Sequence, residues 1–100
     1  MVKHIVAWNF KETADPQADG MKVKAALEGL QGKIDGLLDI KVILPPHLHD
    51  TSNRQVVLDS TFTDAAALAA YQAHPDHVAA AAVVAAVVAD RVCVDYDVVM

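Results

Sequence analysis

Apolar and polar positions alternate through residues 2–10, and most residues there are β-branched or aromatic, which predicts a strand. His4, Val6, Trp8 and Phe10 fall on one face, while Ile5 and Ala7 make the other face apolar as well. A strand apolar on both sides belongs to a sheet covered on both sides. The period then changes. Met21, Val23, Leu27, Leu30 and Ile34 form a stripe at helical spacing. Asp15 can cap the free amides of that helix, and Pro16 at its first position loses no hydrogen bond. Gly32 or Gly36 can end it, while Gly20 and Gly29 weaken its regularity.

Residues 37–44 read as a second strand, closed by Pro45 and Pro46, since neither proline can donate to a ladder. Residues 47–53 form a polar loop. Residues 55–62 alternate as a third strand, with Val56, Leu58, Ser60 and Phe62 on one side and Val57, Asp59 and Thr61 on the other. Thr63 can cap a helix over 64–73, which Pro75 interrupts. A second helix follows over 76–89. Residues 91–99 are the last strand, with Val92, Val94, Tyr96 and Val98 on one face.

The order β-α-β-β-(α-α)-β is the split βαβ, ferredoxin-like arrangement. The predicted class is α+β: an antiparallel four-stranded sheet with its helices on one face, in a single domain over 1–100. The second sheet face is assigned Ile5, Ala7, Ile43, Val57 and Cys93, too apolar to stay wet. A two-fold homodimer that packs two such faces together covers it and makes a dimeric α+β barrel.

Composition sharpens this reading. The chain is 54% apolar, with two Phe, one Trp and two Tyr, so Val, Ala, Leu and Ile must build the core. That apolar surplus points to a partner surface or a ligand cavity. The net charge of −5 and the absence of a basic stripe argue against a nucleic-acid partner. A membrane role is equally unsupported, because the longest apolar run, 78–89, is too short to span a bilayer. Cys93 is the only cysteine, so no internal disulfide can form. The chain runs straight into a strand, with no signal segment, and a cytoplasmic location is the expectation.

Tyr71 and His77 carry the candidate chemistry. They lie six residues apart, and the Pro75 break lets both tips converge on one pocket. His77 sits near a helix N-terminus, where the dipole disfavours imidazolium, and a neutral imidazole is what a general base must be. Tyr71 can then donate to an oxygen that gains charge as an enolate forms. His4 can hydrogen-bond the same substrate or orient His77. Trp8 is read as a pocket wall, with Val56, Leu58 and His74 in the lining. Plainer roles stand beside these: His74-Pro75 as a helix stop with a capping imidazole, Tyr71 as a packing residue, His4 as a satisfied core histidine. His47, His49 and Asp50 faintly suggest a metal site but lack a third convincing ligand, so neither metal nor cofactor is expected. Cys93 reads as a small buried residue, and Asp95 and Asp97 as caps or edge residues of the last strand.

Residues 2–11 (VKHIVAWNFK), 70–77 (AYQAHPDH) and 91–96 (RVCVDY) resemble the opening strand, helix break and final strand of the stress-responsive A/B barrel (Dabb) family. The Tyr-x-x-His-Pro-x-His string is the most specific of the three. The resemblance implies a dimeric α+β barrel. The family includes plant stress-associated proteins that assemble further, and one enzyme type, olivetolic acid cyclase, which closes a ring by an aldol step without a cofactor. Its base and orienting tyrosine fall on His77 and Tyr71, and a first-strand histidine falls on His4. A further pocket histidine of the cyclase is Val56 here, and aromatic residues around its substrate's alkyl tail are replaced by Ala and Val. The expected function is therefore a homodimer that takes a small apolar or aromatic molecule, with acid/base chemistry by His77 and Tyr71. The alternatives are a stress-related structural module and a dimeric α+β barrel monooxygenase.

Overall fold

The structure, a computed structural model, describes residues 1–99. Its elements are β1 (Val2–Phe10), α1 (Pro16–Glu28), β2 (Leu37–Ile43), β3 (Val56–Phe62), α2 (Ala65–Ala73), α3 (Pro75–Ala85) and β4 (Val88–Asp97). The strands form one antiparallel sheet in the order β2-β3-β1-β4. This is the ferredoxin-like α+β fold that the pattern predicts.

Alternation places the core. Val2, His4, Val6, Trp8 and Phe10 of β1 are all buried, as are Val56, Leu58, Ser60 and Phe62 of β3. The helices cover this face with Val23 and Leu27 of α1, Leu68 and Tyr71 of α2, and Ala80 and Val84 of α3.

Helix starts match local chemistry. The Asp15 carboxylate accepts from the Gln17 and Ala18 amides at 3.1 and 3.2 Å. The α2 cap is Asp64, not Thr63: its carboxylate accepts from the Ala67 amide at 2.8 Å. Helix ends match less well. α1 stops at Glu28, capped by Gly29, and Leu30 and Ile34 are buried from the turns that follow. Met21 is exposed, because the helix turns Gly20 inward instead. An added Cβ on Gly20 would lie 3.1 Å from a Leu44 methyl, so this glycine lets the helix approach closely.

The last third differs most. α3 ends at Ala85 and β4 begins at Val88, within the run assigned to the helix. Pairing with β1 sets Asp95 opposite His4, Cys93 opposite Val6 and Arg91 opposite Trp8. Opposed residues share a face. Cys93 therefore lies on the helix side of the sheet, not on the outer face, and it is exposed rather than buried. The outer face of β4 carries Val92, Val94 and Tyr96, all exposed.

Across the sheet the outer face has one apolar row, Ile43, Val57, Ala7 and Val92, joined in register through all four strands. Ile5 and Val94 extend it. Beyond them Lys3 pairs with Asp59.

Candidate functional site

A cavity of about 360 Å³ opens between the sheet and α3. β1 supplies His4, Val6 and Trp8 to its wall, and β3 supplies Leu58. Tyr71 enters from α2, and His77, Ala81 and Val84 from α3. The start of β4 closes one side with Val88, Asp90 and Arg91.

The break between α2 and α3 brings Tyr71 and His77 together. His74 ends α2 and caps α3 with an extended backbone, φ −66° and ψ 134°. Its Nδ1 accepts from the Asp76 amide at 3.1 Å. Pro75 then occupies a first-turn position, where a missing N–H costs nothing. His77 follows in that turn, its ring 4.2 Å from the Tyr71 ring centroid and tilted by 42°.

His77 Nδ1 lies 3.2 Å from the Gln72 carbonyl oxygen. A carbonyl only accepts, so Nδ1 carries the proton and Nε2 keeps the lone pair. Burial, the largest influence, holds the His77 pKa below its ordinary 6.5. The Gln72 carbonyl pulls it upward, and positive charge on His4, Arg91 and His74 pushes it down. The imidazole is neutral at pH 7, as a base requires.

Tyr71 is fully buried, and its hydroxyl has no hydrogen-bond partner. Burial pushes its pKa up to about 12. It stays a protonated donor throughout the neutral range. An orphaned buried hydroxyl costs about 1–3 kcal/mol. The hydroxyl is shielded from water, so a ligand meets it only when side chains of the cavity wall shift.

His4 is almost fully buried, and its Nδ1 lies 2.5 Å from Asp95 Oδ1. The ring stands edge-on to Tyr71 and Phe62, at 6.3 Å from each. The Cys93 sulfur lies 3.7 Å from His4 Nδ1 and 3.5 Å from Asp95. Burial, helped by the Asp95 charge, raises the Cys93 pKa.

The cavity thus gathers Tyr71, His77, His4, Trp8 and Leu58. Two expected members lie elsewhere. Val56 is packed in the core, out of reach of the cavity, and the His74 ring is used in the helix cap. The acid/imidazole/thiol cluster among the described residues is His4, Cys93 and Asp95, whereas His47, His49 and Asp50 form none. Sequence reasoning singled out neither Arg91 as a cavity-lining residue nor Asp95 as the partner of His4. Their signal was their alternation with Val92 and Val94, but it becomes readable only once the register with His4 is known.

The fold and the cavity together define a class, a ferredoxin-like α+β domain with a small-molecule-sized space between helices and sheet. The chain belongs to the stress responsive A/B barrel domain (Dabb) family, whose model matches residues 2–98. It is similar to a dimeric protein of unknown function and ferredoxin-like fold from Bacteroides fragilis, at 31% identity and a TM-score of 0.84, covering 97% of this chain and 95% of that one. A dimeric ferredoxin-like protein of unknown function from Thermobifida fusca matches at 29% identity and a TM-score of 0.83, covering 97% of this chain and 90% of that one. The hydroxynitrile lyase of Passiflora edulis shares the fold at 20% identity and a TM-score of 0.78, covering 95% of this chain and 90% of that one. No curated protein matches the chain.

Proposed function

We propose that the chain works as a homodimer that binds a small apolar or aromatic carbonyl compound in this cavity and performs aldol-type chemistry on it without a cofactor. His77 Nε2 takes a proton from the carbon beside the carbonyl. The electron pair moves onto the carbonyl oxygen, where the Tyr71 hydroxyl donates a hydrogen bond to the enolate. The enolate carbon then attacks a second carbonyl, and the His77 imidazolium returns the proton to the new alkoxide. Protons and charge balance within the substrate.

One observation carries this reading: a partnerless buried tyrosine hydroxyl stands beside a neutral imidazole whose other nitrogen is already committed. Tyrosine hydroxyls usually find a partner when buried. An unsatisfied one is a donor waiting for an acceptor. His4, held by Asp95, positions the substrate from the sheet side. The dimeric relatives and the apolar outer row support the pairing of two chains.

The first half-reaction can be tested without knowing the natural substrate. Hydrogen exchange beside the carbonyl of phenylacetone in deuterated buffer, followed by NMR, should run faster with the protein than without it. His77→Gln should slow the protein-dependent rate about 10²–10⁴-fold, the usual worth of a general base. Tyr71→Phe should lose about 10²-fold, as for one donor to an oxyanion, while gaining about 1 kcal/mol of stability from the removed orphan hydroxyl. A His77→Gln protein that kept the full exchange rate would end the proposal.

A further inference from the structure

The cavity wall is apolar along Trp8, Val84 and Val88, yet Arg91 stands at its rim. Register places Arg91 directly across from Trp8, on the helix side of the sheet. Its neighbouring carboxylates are already engaged. Asp90 accepts from the Asn9 amide at 3.1 Å and from the Asn9 side chain at 3.2 Å, and its Oδ1 lies 3.4 Å from Arg54 Nε. Asp95 is held by His4. Arg91 makes no ion pair with a carboxylate among the described residues. Its guanidinium lies close enough to the Cys93 thiol to pull that pKa down against the larger effect of burial. It is also close enough to His77 for its charge to act on that ring.

We infer that Arg91 is an anion subsite, and that the molecule taken by the cavity carries a carboxylate at one end of a compact apolar body. The inference rests on the cavity being a binding site, as proposed above, and adds the substrate class. A guanidinium presents donors in a planar fork that matches a carboxylate. The volume of 360 Å³ lies near the lower end of the range for ligand pockets, roughly 300–1,000 Å³. That space suits one ring or a short chain. A carboxylate at the rim would leave the rest of such a molecule among Trp8, Val84 and Val88, with its inner end toward His77 and Tyr71. Specificity then comes from two ends: an anion clamp outside and an acid/base pair inside.

Cinnamate and cinnamamide make a matched pair of probes, alike in shape and different in charge. Binding is read from the indole N–H signal of Trp8, the single tryptophan, in NMR titrations. Cinnamate should bind about tenfold more tightly than the amide, the worth of one charge-assisted contact, and its advantage should shrink with added salt. Arg91→Gln should bring cinnamate to the level of the amide and weaken the amide far less. Equal affinities in the natural protein, or a preference for cinnamate that survives Arg91→Gln, would overturn the subsite while leaving the cavity reading intact. If neither probe moved the Trp8 signal, both readings would fall together.

Discussion

His77 and Tyr71 owe their chemistry to where they are held rather than to what they are. A histidine in water titrates near pH 6.5, and burial against Tyr71 moves this one down. The sign of the consequence is fixed. Below the ordinary value the unfolded chain binds a proton at this site that the native ring releases, so acid favours unfolding. The His77 contribution is therefore fully present above about pH 6.5 and declines as the pH falls toward the lowered native value. Melting temperatures measured between roughly pH 5 and 7 should fall more steeply in the natural protein than in His77→Gln. Parallel curves for the two proteins would show that the ring is not held neutral by the fold. At this scale the sequence was partly legible. The Tyr-x-x-His-Pro-x-His string located Tyr71 and His77 because a proline break is a local event. It placed His74 in the lining, whereas that ring closes the very break that it announces; Val56, expected there from its third-strand position, packs in the core beside Leu58, the next inward residue, which lines the cavity.

Elements were readable where a local signal ends them and not where one is missing. Pro45 and Pro46 closed β2, and Asp15-Pro16 opened α1. Nothing marks the end of α3: the run through Val87 and Val88 stays Ala- and Val-rich across the turn, and only pairing with β1 shows where the strand begins. Valine is at home in a strand and tolerated in a helix, so composition alone leaves that boundary open. Two of the glycines after α1 separate two kinds of requirement. Gly32 and Gly36 both have φ of 82°, a conformation that a side chain disfavours. Gly32 has open space around it, but an added Cβ at Gly36 would lie 2.5 Å from the Ala67 Cβ in α2. Gly32→Ala should cost about 1 kcal/mol for the backbone alone, whereas Gly36→Ala should cost about 2–4 kcal/mol, since α2 must move as well. Urea unfolding of the two variants measures this. Equal losses would mean that α2 does not pack against the turn before β2.

At the scale of the molecule, the two faces of the sheet have different fates. One is covered by three helices over β1 and β3 and contains the cavity. The other carries Ile43, Val57, Ala7 and Val92 in one row, with Ile5 and Val94 beside it and Tyr96 beyond. Sequence patterning identified this second apolar face but credited it with Cys93, because the register of β4 depends on a pairing ninety residues distant in the chain that no local rule supplies. The correction strengthens the case for pairing, since Val92, Val94 and Tyr96 are larger and lie half-exposed. Burying such a row is worth about 25 cal/mol for each Å² of apolar area removed from water, and two identical faces related by a two-fold axis remove it twice. A charge placed on this face must then be buried in the pairing, which costs several kcal/mol. Val94→Glu should therefore convert the protein to a monomer at micromolar concentration while leaving its circular dichroism intact. Sedimentation of the natural protein supplies the control. A monomer at the same dilution, with a melting temperature independent of concentration, would mean that the row faces water and that the domain is stabilised from its helix side alone.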